Sequence, residues 1–188
     1  MARPKSEERR AAIMAAASRV IASQGLSAPT AVIAKEAGVS NGSLFTYFET
    51  KTALLNALYL ELKVDLSAAA LKGLPVDRDI RSQMLQLWRN WLRWTASAPE
   101  KRRALAQLGV SDEITAQTRQ AGMEATAGMA AFIERSRQQG PLRDAPLGFV
   151  GAMLSSIADA TVDFMIADPA NAEQHGMTGF EAAWRLLS

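Results

Sequence analysis

Residues 40–48 read Ser-Asn-Gly-Ser-Leu-Phe-Thr-Tyr-Phe, crowding hydroxyls, an amide and three aromatic rings into one short stretch. These groups hydrogen-bond and stack; none of them is a strong nucleophile or metal ligand. On a helix capped by Ser40, Leu44 and Phe48 fall one turn apart and anchor the segment to a core. Asn41, Gly42, Ser43, Phe45, Thr46 and Tyr47 then face outward, a mixture of small polar and aromatic groups suited to a DNA major groove. Gly42 costs such a helix about 1 kcal/mol against alanine, and a close approach of its backbone to DNA accounts for the choice.

The rest of the chain offers little reactive chemistry. Of its 188 residues none is cysteine and His175 is the sole histidine, set in a polar loop. Disulfides and thiolate metal sites are therefore excluded, and neither metal nor nucleophilic catalysis is expected. The expectation is a protein that is not an enzyme and holds no cofactor or metal. The N-terminal residues lack the apolar segment of a signal peptide, which leads to the expectation of a cytoplasmic chain. The most apolar stretch, 146–167, is about long enough to span a bilayer. It carries Asp159 and Asp163, costly in lipid, so a buried helix with no membrane role is expected. Buried carboxylates need partners, and Arg185 is a candidate.

Positioning these residues requires helices, and the sequence reads as helical throughout. No run alternates with period two between turn signals. A first helix, capped by Ser6, follows Ile13, Val20 and Ile21 and stops at Gly25. Short helices are expected over 30–37 and 41–48, with Ala34 and Ala37 small enough for a steep crossing. Gly38 supplies the left-handed turn between them, and Val39 plugs the junction. A longer helix begins near Lys51 and runs through Leu54, Leu58, Leu62 and Leu66 to the break at Gly73. Further helices are expected over 78–97, 100–108, 112–139, 146–168 and 178–187. The reading is all-α with about nine helices. A three-helix helix-turn-helix domain is expected over 1–50, with a helical effector-binding and dimerisation domain over 51–188.

Charge supports this division. Net charge is +2, yet residues 1–55 hold seven Lys/Arg against four acids, while the remainder is close to neutral. A basic N-terminal quarter suits nucleic acid.

The segment from Ala34 to Lys51 resembles the DNA-binding domain of TetR-family repressors in its turn glycine, capping serine, aromatic pair and following lysine. The whole chain, from its Met-Ala-Arg-Pro-Lys start to Gly179-Phe180-Glu181-Ala182-Ala183-Trp184, is similar to the RamR-like branch, regulators of multidrug response. The resemblance implies phosphate contacts from Thr30, Tyr47 and Lys51. It implies base-edge readout from Asn41, Ser43 and Thr46 beside Ser40 and Gly42, with Phe45 against a thymine methyl or the backbone. Arg3 and Lys5 are placed to reach a phosphate or the minor groove. Asn41 and Thr46 depart from the commoner basic residue and histidine, so the operator sequence does not carry over.

The C-terminal part is rich in large soft side chains. Met84, Trp88, Trp91 and Thr95 share one helical face, and such residues either fill a core or form adaptable walls for a flat apolar ligand. The resemblance implies an effector site that includes Tyr59 and Trp88, with Met84 and Leu154 nearby. Gly151 and Leu154 stand where that branch leads one to expect acidic and aromatic residues. A neutral or anionic amphiphile is thus as well suited as a lipophilic cation. The small residues Gly148, Gly151, Ala152, Ser155 and Ser156 suit close packing against a second subunit. The resemblance implies a homodimer through the last two helices, binding a palindromic double-stranded operator and released by a small apolar or amphipathic effector. The alternative is a DNA-bound adaptor whose C-terminal part recruits a protein.

Overall fold

A computed structural model describes the backbone of residues 3–188 and the side chains from residue 6 onward. Among the described residues all regular structure is helical. The helices are α1 (Arg3–Gln24), α2 (Thr30–Glu36), α3 (Asn41–Tyr47), α4 (Lys51–Leu71), α5 (Ile80–Ser97), α6 (Pro99–Gly109), α7 (Ala116–Ala125), α8 (Ala127–Ser136), α9 (Leu147–Ala167) and α10 (Ala172–Leu187). A 3-10 turn, Pro169–Asn171, precedes α10.

Three boundaries differ from expectation for local reasons. The first helix begins at Arg3, with proline tolerated in its opening turn, so Ser6 lies inside it rather than at its cap. The helix expected over 112–139 is broken in two places. Ser111 Oγ accepts from Glu113 N at 3.1 Å, and the turn it makes tucks Ile114 into the core. Thr115 then caps α7 by accepting from Thr118 N at 3.1 Å. Thr126 separates α7 from α8, among Gly122 and Gly128, which weaken helix continuity. Finally α10 starts at Ala172, well before residue 178. Its glycines, Gly176 and Gly179, disguise a helix that is held by buried Phe180, Ala183 and Leu187.

The chain divides into two compact units. One takes residues up to Val64 together with Ala98–Glu124; the other takes Asp65–Ser97 and Ala125–Ser188. The seam expected at residue 50 lies inside the first unit. Leu54, Leu55 and Leu58 of α4 complete the core made by α1–α3, and Ala104 and Leu108 of α6 join it from later in the chain.

In the first unit Ile13, Ala17, Val20 and Ile21 form the inner face of α1, packed with Ile33, Leu44 and Phe48. Each fully buried Leu or Ile contributes roughly 1.5–3 kcal/mol. Gln107 of α6 donates to the Ile21 carbonyl at 3.1 Å, a second bond to an oxygen that also accepts from Gly25 N at 2.9 Å.

The second unit is built on α5. Its inward face presents Met84, Leu87, Trp88 and Trp91, which pack with α8, α9 and α10. Buried Asn90 donates to the carbonyls of Ala70 and Lys72 at 3.2 and 2.7 Å, capping the end of α4. Arg137 is almost wholly buried; it pairs with Glu134 and donates to Leu142 and Ala145, holding the segment before α9.

Helix α9 was expected to be buried. It is long and apolar enough to cross a membrane by length and composition, but only one face is covered, by Val150, Leu154, Ala158 and Val162. The other face leaves Phe149, Phe164 and Ile166 more than half exposed. Asp159 and Asp163 are both engaged in interactions.

Candidate nucleic-acid interface

The turn between α2 and α3 is set by Gly38 at φ +69°, a left-handed conformation that a side chain resists. Two backbone bonds close it, Gly38 N to Lys35 O at 3.1 Å and Val39 N to Ala34 O at 2.9 Å. This is a Schellman motif, which satisfies the last carbonyls of α2 while turning the chain sharply. Ser40 follows in extended conformation, and its Oγ accepts from Ser43 N at 3.0 Å. Leu44 and Phe48 then point into the core, fixing the rotation of α3 about its axis.

That rotation decides what faces solvent. Asn41, Gly42, Phe45 and Thr46 are exposed, while Ser43 and Tyr47 are half-buried. Phe45 keeps 40% of its surface in water with no polar function of its own, an arrangement that suits an apolar contact made on binding. Among the described residues, nothing beyond the backbone of its own helix lies within 4 Å of a Cβ built on Gly42, so packing among them does not require glycine there. Thr46 Oγ1 donates back to the Gly42 carbonyl at 3.3 Å, which holds the hydroxyl on the outer face. Helix α3 bears no charged side chain, and its contacts with a polyanion would be neutral hydrogen bonds and apolar touches.

Positive charge comes from the flanking helices. Lys51 opens α4 and Lys35 is exposed in the last turn of α2. Thr30 is the first residue of α2, half-buried beside exposed Pro29. The side chains of Arg3 and Lys5 lie outside the described residues. Arg10 is drawn elsewhere, onto the Phe48 ring at 5.4 Å and towards Glu61 at 3.4 Å.

Several supporting residues escaped the sequence reading. Thr50 Oγ1 accepts from Ala53 N at 3.0 Å and so caps α4 beside Lys51. A threonine directly before a lysine-led apolar run is a capping signal that could have been used. Asn56 donates to the Glu113 carbonyl at 2.8 Å and accepts from Thr115 N at 3.0 Å. Thr52 donates to the Glu113 carboxylate at 2.6 Å. These bonds fasten the segment between α6 and α7 to the first turns of α4. Their partners lie 57 to 61 residues apart, and no local pattern announces them.

The residues expected at an effector site are placed as follows. Met84, Trp88 and Leu154 are wholly buried in the second unit. Trp88 donates its indole N–H to the Gly176 carbonyl at 3.0 Å. Tyr59 belongs to the first unit, where a Cβ on Gly122 would come within 2.8 Å of its ring. Burial pushes the Tyr59 hydroxyl above its usual pKa, partly opposed by the Arg119 guanidinium, and burial pulls Lys63 below its own.

Residues 13–58 match the family model of bacterial regulatory proteins of the tetR family. The fold matches solved structures over almost its whole length. A TetR family transcription regulator from Shewanella sp. PV-4 is 26% identical, with a TM-score of 0.81 over 94% of this chain and 96% of that one. One from Marinobacter aquaeolei VT8 is 22% identical, with a TM-score of 0.80 over 98% of each chain. The transcriptional regulator FadR from Bacillus subtilis, in complex with stearoyl-CoA, is 18% identical, with a TM-score of 0.68 over 95% of this chain and 97% of that one. The helix-turn-helix domain thus matches the tetR family of bacterial regulatory proteins, and the whole fold is similar to that of TetR family transcription regulators.

Proposed function

We propose that the protein is a ligand-responsive repressor, binding a palindromic operator as a homodimer and released by a small lipophilic effector. The observation that carries the reading is α3 itself: its core residues are locked, and its outer face presents Asn41, Ser43, Phe45 and Thr46 around an unobstructed Gly42. Such a face fits a major groove, with Asn41 reading a base edge and Phe45 against a thymine methyl. Lys51 and Thr30, at the starts of α4 and α2, supply phosphate contacts with Tyr47.

The uncovered face of α9 supports the homodimer. Phe149, Ala152, Ser155 and Phe164 combine apolar area with small residues, which lets a second copy approach closely through α9 and α10. A regulator of the same fold solved with stearoyl-CoA supports a ligand response. The RamR-like resemblance adds multidrug-type amphiphiles to the candidate effectors, with Tyr59, Met84, Trp88 and Leu154 as residues whose environment such a ligand would alter. Effector binding would act by shifting α4, which runs from the second unit to Lys51. To release DNA the ligand must favour the non-binding state by about 1–3 kcal/mol or more.

Fluorescence anisotropy against a labelled duplex from upstream of the gene, beside a scrambled duplex and over several salt concentrations, tests this reading. Tight, salt-dependent binding to the native duplex alone is expected, reversed by an effector found in the same assay. Equal weak binding to both duplexes sinks the operator reading, and effectors that bind without changing operator affinity sink the ligand-responsive one.

A further inference from the structure

A cleft of about 500 Å³ opens on the second unit between α5, the end of α9 and the start of α10. Its volume falls within the range of about 300–1,000 Å³ common for small-molecule sites. The floor is made by Leu92, Ala96, Met165 and Met177, laid over the wholly buried Trp88. Beneath it the Trp88 N–H is spent on the Gly176 carbonyl, so the tryptophan leaves no unpaired donor under the apolar floor. The α10 backbone lies close against this floor: a Cβ on Gly176 would make ordinary contact with Leu92 at 3.6 Å and Met165 Sδ at 3.9 Å.

The rim is cationic. Arg89 and Arg93 stand one turn apart on α5, both exposed and both lining the cleft. Arg89 donates towards the Met177 sulfur at 3.9 Å, and Arg93 donates to Asn90 Oδ1 at 3.1 Å. Among the described residues neither guanidinium has a carboxylate within ion-pair distance. One acid, Glu173, lies on the opposite wall. Two guanidiniums without a carboxylate partner above an apolar floor are complementary to an anionic head on a hydrocarbon body. A planar carboxylate can take paired N–H donors from such a fork, and a lone Glu173 is too little to select a cation.

We propose that this cleft binds a small carboxylate amphiphile, its head between Arg89 and Arg93 and its tail on the apolar floor of Ala96, Met165 and Met177. The site deepens the ligand-responsive reading above and rests on it for any regulatory consequence, though not for binding itself.

Calorimetric titration of the full-length protein with decanoate, decanol and decyltrimethylammonium, each below its aggregation concentration, tests the site. Decanoate is expected to bind about tenfold or more tighter than decanol, with the cation weakest. Arg89→Gln with Arg93→Gln should remove that advantage while leaving decanol binding unchanged. Ala96→Phe, which fills the floor, should abolish binding of both. Decanol or the cation binding as tightly as decanoate, the double variant keeping full decanoate affinity, or Ala96→Phe binding decanoate normally would each overturn the proposal. Operator anisotropy run in parallel separates the two readings. Decanoate bound in the cleft with operator affinity unchanged supports the site and counts against it as the effector's. Release of the operator by another ligand, with no decanoate bound, removes the site and leaves the repressor.

Discussion

One hydroxyl decides where α3 begins. Ser40 Oγ occupies one of the free backbone donors of the first turn, Ser43 N, and replacing it leaves that donor to water. Ser40→Ala should therefore lower stability by about 1 kcal/mol in urea denaturation, with glycine at the same position costing less. The outer residues separate by function instead. Asn41→Ala should relax discrimination at a single operator base pair by about 1–3 kcal/mol. Lys51→Gln should weaken binding to every duplex alike and reduce the salt slope by about 0.9. Competition titrations against single-base operator variants distinguish the two; equal loss on all variants for Asn41→Ala would remove it from the base-reading set. Gly38, Ser40, Leu44 and Phe48 were legible in the sequence because their roles are settled within a few residues along the chain. Asn90 was not: its partners, Ala70 and Lys72, lie 20 and 18 residues away, and an asparagine inside an apolar helix carries no local mark of what it caps.

Among elements, α9 and α10 show how close packing is encoded. A Cβ on Gly179 would fall onto the Thr161 hydroxyl, so the two helices touch there backbone to side chain. Gly179→Val should force them apart and destabilise the second unit by about 1–3 kcal/mol, read as a lowered thermal midpoint. The same glycine that permits this contact hid the helix from a periodicity reading, because glycine in a helix interior argues locally against one. Likewise the break at Thr126 was missed, since hydrophobic spacing continues across it. Two helix ends also carry acid-sensitive bonds. Asp79 accepts from Ser82 N and Oγ at the start of α5, and Asp168 accepts from Asn171 and His175 between α9 and α10. These hydrogen bonds hold both carboxyls below the usual carboxylate range. A depressed folded value stabilises the protein above the unfolded value and is lost as pH falls through the folded one. Thermal midpoints should drop on acidification below the ordinary carboxylate range, and Asp79→Asn with Asp168→Asn should flatten that acid limb.

For the whole molecule, the uncovered side of α9 makes assembly the natural expectation. Phe149→Asp combined with Ala152→Asp should yield a monomer by light scattering and weaken operator binding sharply, since a single head loses the second half-site. A dimer that survives both charges would move the interface elsewhere. The division into two units has a further consequence. The chain passes from one unit to the other at 64/65, returns at 97/98 and leaves again at 124/125. The unit that carries the helix-turn-helix is therefore not a contiguous stretch of gene: α6, whose Ala104 and Leu108 pack with α1, is encoded after α5. A splice at residue 50 would graft three helices without the layers that complete their core. Recombination cannot easily hand this unit to another chain as a cassette, because a crossover anywhere in α4 or α5 parts α1–α3 from the α6 residues that close their core.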